Sequence, residues 1–112
     1  MNLYMLCVGV ASALTTLILM EEAWSSDLTV GRSKVETLCQ TCHGMDGIAT
    51  TTTVPNIAGQ QMDYLVIQLE AYRSGKREHP QMTIVSQNLT DEDIENVSHW
   101  YASIKFSVEM PE

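Results

Sequence analysis

Five consecutive residues, Cys39-Gln40-Thr41-Cys42-His43, hold the densest chemistry in this chain. Two thiols three positions apart share one helical turn, and each can bond covalently to a porphyrin edge. The histidine directly after them falls under the iron and can serve as its proximal ligand. C-x-x-C-H is therefore read as the attachment site for a c-type haem, and a cofactor held this permanently points to redox work. The rival uses of C-x-x-C are a disulfide and a thioredoxin-like redox pair. The second wants a preceding strand and a βαβ setting, and the residues here give neither.

An iron bound by His43 on one face needs a second ligand, or an open position, on the other. Four methionines follow the motif. Met45 is only two residues beyond His43 and cannot easily reach the far face. Met62 opens an expected helix at a spacing that suits core packing, and Met110 trails the last helix beside Pro111. Met82 lies in an expected loop, between Pro80-Gln81 and Thr83, far enough along the chain to wrap round a porphyrin. It is the candidate distal ligand, and a thioether there raises the potential. His79 is its rival and would give a bis-histidine site; His99 belongs to the last helix, where a satisfied histidine is the default.

Further residues can support the site. The proximal imidazole needs an acceptor for its other nitrogen, and the Pro55 carbonyl lies in the loop directly after the motif. Arg73 and Arg77 flank Gly75, where a tight turn can bring either guanidinium to a haem propionate. Ordinary solvated charge is an equal reading for both.

The elements around these residues read as helices. Thr29 can cap a first helix starting near Val30, with Val35, Leu38 and Cys42 at helical spacing. After His43 the texture changes to a Gly-, Thr- and Pro-rich loop that includes Thr50 to Thr53. A second helix is expected from about Gln60 to Ser74, with Met62, Leu65, Leu69 and Tyr72 as its stripe and Gly75 as its stop. Residues 76–89 read as a second loop, with room for a short helical turn over Thr83 to Gln87. In the last helix Thr90 and Asp93 approximate a capping box, and Ile94, Val97, Tyr101 and Ile104 form the expected buried face. No strand and no internal repeat is evident, so the expected class is all-α.

At 112 residues there is room for one small domain. Leu3–Met20 is an 18-residue stretch without a charged side chain. Its length suits a signal-peptide core or a minimal membrane span. Ala23-Trp24-Ser25 offers small residues where a signal peptidase reads, so residues 1–25 are expected to be a cleaved leader or a retained anchor, and 26–112 the folded domain. No Lys or Arg precedes the apolar run, which is unusual for a leader. Cys7 lies inside it as a bystander. The remaining 87 residues contain all six basic residues and 12 of the 14 acidic ones, a formal charge of −6. Such a surface does not bind nucleic acid through phosphates and favours a partner with a basic docking face. So small a domain is near the limit for a stable core, and a covalent haem would supply apolar mass at its centre.

Taken together, the chain resembles the class I c-type cytochromes, in particular the short bacterial branch of the c-four and c-five kind. The resemblance spans about Gly31 to Tyr101. It rests on Cys39 to Gly44, Asp46-Gly47, Pro55-Asn56-Ile57-Ala58-Gly59-Gln60, Tyr64-Leu65, Gln68-Leu69 and Arg73-x-Gly75-x-Arg77. It continues through Met82, Leu89-Thr90-x-Glu92-Asp93-Ile94 and Tyr101. What it implies is three main helices wrapped round one haem, with the first and last crossing at Gly31 against Trp100 or Tyr101. It further implies thioether bonds from Cys39 and Cys42, iron ligation by His43 and Met82, and a Pro55 carbonyl that orients His43. The implied role is one-electron transfer between periplasmic or membrane redox partners, with no substrate transformed. The alternatives are a dedicated, membrane-held cytochrome subunit of an oxidoreductase, and a haem sensor or enzyme with an open distal position.

Overall fold

A computed structural model of the chain describes residues 26–112. The Leu3–Met20 segment, Cys7 and the Ala23-Trp24-Ser25 site lie outside the described residues. Helix α1 (Leu28–Lys34) continues through a π-helical turn (Val35–Cys39) into α2 (Gln40–His43). A long loop leads to α3 (Met62–Ser74), followed by α4 (Pro80–Gln87) and α5 (Asp91–Ala102). The described residues form no strand, as the all-α expectation requires. None of their helices is long and apolar enough to cross a membrane.

Asp27, rather than Thr29, begins the fold. Its carboxylate accepts from the N–H groups of Thr29 at 2.7 Å and Val30 at 3.2 Å, so α1 starts two residues earlier than expected. The backbone N–H groups of Val30 and Thr29 hold the Asp27 carboxyl below its ordinary range. A charged acceptor at this end of a helix gains from the aligned backbone dipoles, which a threonine hydroxyl does not.

The π turn corrects the expected buried stripe. The Gln40 N–H reaches back five residues to the Val35 carbonyl, which inserts one residue into the helical register. Val35 is fully buried, but Leu38 and Cys42 are exposed, and Cys39 turns towards the interior instead. The same insertion brings the first cysteine of the motif to the core side.

Helix α1 crosses α5 at Gly31. A Cβ on Gly31 would collide with the Asn96 carbonyl oxygen and stand 3.5 Å from the Trp100 Cβ. The glycine therefore lets two backbones meet, with Trp100 beside it. Two polar contacts clamp the crossing: the Asp27 N–H donates to Asn96 Oδ1 at 2.6 Å, and Lys34 pairs with Asp93 at 3.0 Å. Below it the core gathers Val35, Leu65, Val97 and Tyr101, with Leu89 and Ile94 also buried. Each such apolar side chain contributes about 1.5–3 kcal/mol on burial.

Helix α3 stops at Gly75, whose φ of +77° is the left-handed cap that glycine allows. The segment read as a second loop is largely a helix: α4 has Pro80 at its first turn and His79 as its N-cap. Met82 consequently stands on a helix and not in a flexible loop. At α5 the capping box is present in full, Thr90 Oγ1 accepting from the Asp93 N–H and Asp93 Oδ2 from the Thr90 N–H. Ile94, Val97 and Tyr101 are buried as expected, while Ile104 lies past the end of α5 and is half-buried.

Candidate functional site

The site begins with α2, the short helical turn that carries the motif. Gly44 ends it with φ +73° and sends the chain into the Thr-rich loop. That loop folds back on the motif: Thr50 donates its N–H to the Cys42 carbonyl at 3.0 Å and its hydroxyl to the Thr41 carbonyl at 2.9 Å. The Asn56 Oδ1 accepts from the Ala49 N–H at 2.7 Å, closing the loop so that Pro55 returns beside His43. The His43 Nδ1–H donates to the Pro55 carbonyl at 3.0 Å, which leaves Nε2 with its lone pair available. From the other side, α5 braces the same segment. The Trp100 indole donates to the Met45 carbonyl at 2.9 Å and the Tyr101 hydroxyl to the Gly44 carbonyl at 2.8 Å.

A cavity of about 230 Å³ opens between α2, the loop, α3, α4 and α5. Leu65, Leu69, Val85, Leu89 and Val97 supply apolar wall, and Cys39, His43, Pro55 and Met82 all line it. Before attachment to haem, burial pushes the Cys39 thiol up to about 11, with nearby Lys34 acting the other way. Cys42 is exposed, and both cysteines are unbridged. Burial likewise raises the Tyr101 phenol, so this hydroxyl stays a proton donor to the Gly44 carbonyl.

The other candidates divide. Arg77 lines the cavity, donates to Gln68 Oε1 and lies 4.7 Å above the Tyr72 ring. Arg73 is turned elsewhere: its guanidinium donates to the Leu89 carbonyl at 2.9 Å and pairs with Asp91. His79 does not line the cavity, and its Nδ1 accepts from the first-turn N–H groups of α4. His99 is engaged with Ser26, the Nδ1 to Oγ distance being 2.8 Å. Met45 packs on the core, Met62 is half-buried at the start of α3, and Met110 is 80% exposed.

Gln68, Tyr72 and Ser98 also line the cavity; the sequence marks Tyr72 only as part of a helix stripe and Gln68 only as part of the resemblance, and it does not mark Ser98. Ser98 is 1% exposed and its hydroxyl has no partner within the described residues. The signal for it was position, four residues after buried Ile94, but its polarity kept it off a face defined by apolar type.

These residues fit a haem. His43 and Met82 line one largely apolar cavity, imidazole and thioether are donors that suit iron, and the apolar wall suits a porphyrin. The cytochrome c family model matches residues 29–105. The chain belongs to the cytochrome c family.

Cytochrome c-554(548) of Halomonas halodenitrificans is 38% identical over 82 residues, covering 70% of this chain and 98% of that protein. Cytochrome c4 of Pseudomonas aeruginosa is 36% identical over 86 residues, 77% of this chain but 42% of its own length. Among solved structures, reduced recombinant cytochrome c4 from Pseudomonas stutzeri matches with a TM-score of 0.67 at 32% identity, over 75% of this chain and 48% of that one. The chain thus spans nearly all of the Halomonas cytochrome and less than half of these cytochromes c4. As a c-type cytochrome with one C-x-x-C-H motif it carries one covalently bound haem c, exchanges electrons with redox proteins, and is a carrier rather than an enzyme.

Proposed function

We propose that this cytochrome is an exported, periplasmic one-electron carrier whose iron is held by His43 and Met82. The observation that carries the reading is that both side chains line one cavity, with the His43 imidazole already oriented by the Pro55 carbonyl. When bound, the haem supplies the reversible ferric–ferrous step, and a thioether ligand favours the ferrous form. The chain's own residues do the rest. Pro55 fixes the tautomer that presents Nε2, and α3, α4 and α5 exclude water with their apolar faces. Cys39 and Cys42 supply the two thioether attachments, and Arg77, in contact with the cavity, is placed to meet a propionate.

Electrons would pass on the side where Cys42 is exposed. Around it the chain is nearly free of charge: from Thr37 to Met62 Asp46 is the sole Asp, Glu, Lys or Arg. The acidic residues of the other segments act over distance and would steer a partner with a basic face.

A potentiometric titration of Met82→Ala against the parent tests the ligand assignment. The variant is expected to have a markedly lower potential and a ferric spectrum without the weak red band of sulfur-bound haem. An unchanged potential with the band intact would remove Met82 from the site.

The uncharged Leu3–Met20 stretch favours a second reading, an anchored cytochrome subunit. Mass spectrometry of the native protein separates the two. A mature chain beginning at residue 26 supports the free carrier; retention of residues 1–25 supports the anchored subunit.

A further inference from the structure

We propose that His79 is a positioning residue for the iron ligand: its ring caps α4, holds the backbone of Met82, and so sets how firmly the thioether stays in place. The inference rests on the His43/Met82 reading above. Helix α4 has only eight residues, too few to be stable without outside support. Its first N–H groups lack intrahelical partners, and the Met82 N–H is one of them. Pro80 has no N–H to satisfy, which leaves the Gln81 and Met82 N–H groups to be met. Both donate to His79 Nδ1, at 3.3 and 3.4 Å.

The cap is reciprocal. The His79 N–H donates to Thr83 Oγ1 at 3.0 Å, and the Thr83 N–H donates to the His79 carbonyl at 3.0 Å. Met82 is thus enclosed between residues that bond each other on both sides of it.

An asparagine or aspartate is the usual choice for such a cap. An imidazole does something more here, because its ring also reaches the cavity wall. It stands edge-on to Tyr72, with centroids 6.4 Å apart at an interplanar angle of 70°. Tyr72 is covered by Arg77, and Arg77 is tied to Gln68. Gln68, Tyr72, Arg77 and Met82 all line the cavity. The ring therefore couples the ligand helix α4 to the α3 wall, through contacts that a smaller cap cannot make. It has no place among the lining residues itself, which separates this role from direct ligation.

The test is the rate at which added imidazole displaces the sixth ligand in the ferric holoprotein, followed at the weak red band. It compares the parent, His79→Ala, His79→Asn and Thr90→Ala. His79→Ala should bind imidazole about fivefold faster, the fold-change of one typical N-cap. His79→Asn restores the acceptor but not the contact with Tyr72, and should bring the rate only part of the way back to the parent's. Thr90→Ala removes the cap of α5, lowers global stability and should leave the rate near the parent's. A His79→Ala rate equal to the parent's would overturn the proposal, as would equal acceleration by Thr90→Ala, which marks general loosening. A parent protein without the red band would instead refute the Met82 assignment itself.

Discussion

Replacing Gly31 by alanine sets two effects of opposite sign against each other at the α1–α5 crossing. Alanine in a helix interior gains about 1 kcal/mol over glycine from backbone entropy. The new methyl carbon, however, would stand inside contact distance of the Asn96 carbonyl oxygen, with Trp100 close behind. Neither obstacle is the free end of a flexible side chain, so the helices themselves must separate. That would stretch the Asp27–Asn96 hydrogen bond and the Lys34–Asp93 pair. Overpacking of this kind costs about 3 kcal/mol, which leaves a net loss of about 2 kcal/mol. For a domain this small the loss corresponds to a fall in Tm of roughly 8–16 °C. Gly75→Ala is the matching control: nothing lies within 4 Å, but φ is +77°, so its cost is left-handed strain alone, about 1–2 kcal/mol. The assay is thermal and guanidinium unfolding of the holoproteins by far-UV circular dichroism. A Gly31→Ala protein as stable as the parent, or more so, would refute the close crossing.

Other perturbations test the bracing of the site and the charge around it. Tyr101→Phe removes the donor to the Gly44 carbonyl and should cost about 1–2 kcal/mol in the same unfolding assay. Burial raises the Asp93 carboxyl, but the Thr90 N–H and the Lys34 ammonium together outweigh it and hold the group below its ordinary 3.8. Its contribution is therefore present above about pH 4 and is lost as the pH falls further. Asp93→Asn should flatten that acid limb when Tm is measured from pH 6 to 2. With a formal charge of −6 on residues 26–112, oxidation of the reduced protein by ferricyanide should accelerate as salt is added. Oxidation by a cationic cobalt complex should slow, and stopped-flow traces at several ionic strengths check both slopes.

What the sequence revealed depended on how local the cause was. The capping box of Thr90 and Asp93, the Gly75 stop and the C-x-x-C-H turn are each decided within a few residues, and each appears where expected. The start of α1 differs from the expectation because Asp27 and Thr29 both offer an oxygen, and spacing alone does not say which one the helix uses. The π turn was invisible because apolar periodicity assumes a constant 3.6-residue repeat, so Leu38 and Cys39 exchanged sides. Helix α4 begins three residues before the short turn expected over Thr83 to Gln87; proline at the first helical position with an acceptor before it is the local clue to that start. Arg73 and Arg77 could not be separated until tertiary packing gave Arg73 to Asp91 and the Leu89 carbonyl and placed Arg77 on the cavity wall. Local chemistry thus marked the C-x-x-C-H turn, and only the packed chain showed that α4 carries Met82 to the cavity that His43 lines.

The central claim is that imidazole and thioether ligate one iron. Near-infrared magnetic circular dichroism of the ferric native protein addresses it most directly, because the charge-transfer band lies at a wavelength characteristic of the axial pair. A band in the histidine–methionine range, absent from Met82→Ala, is the expected result. A band in the bis-histidine range, or a high-spin spectrum, would contradict the account.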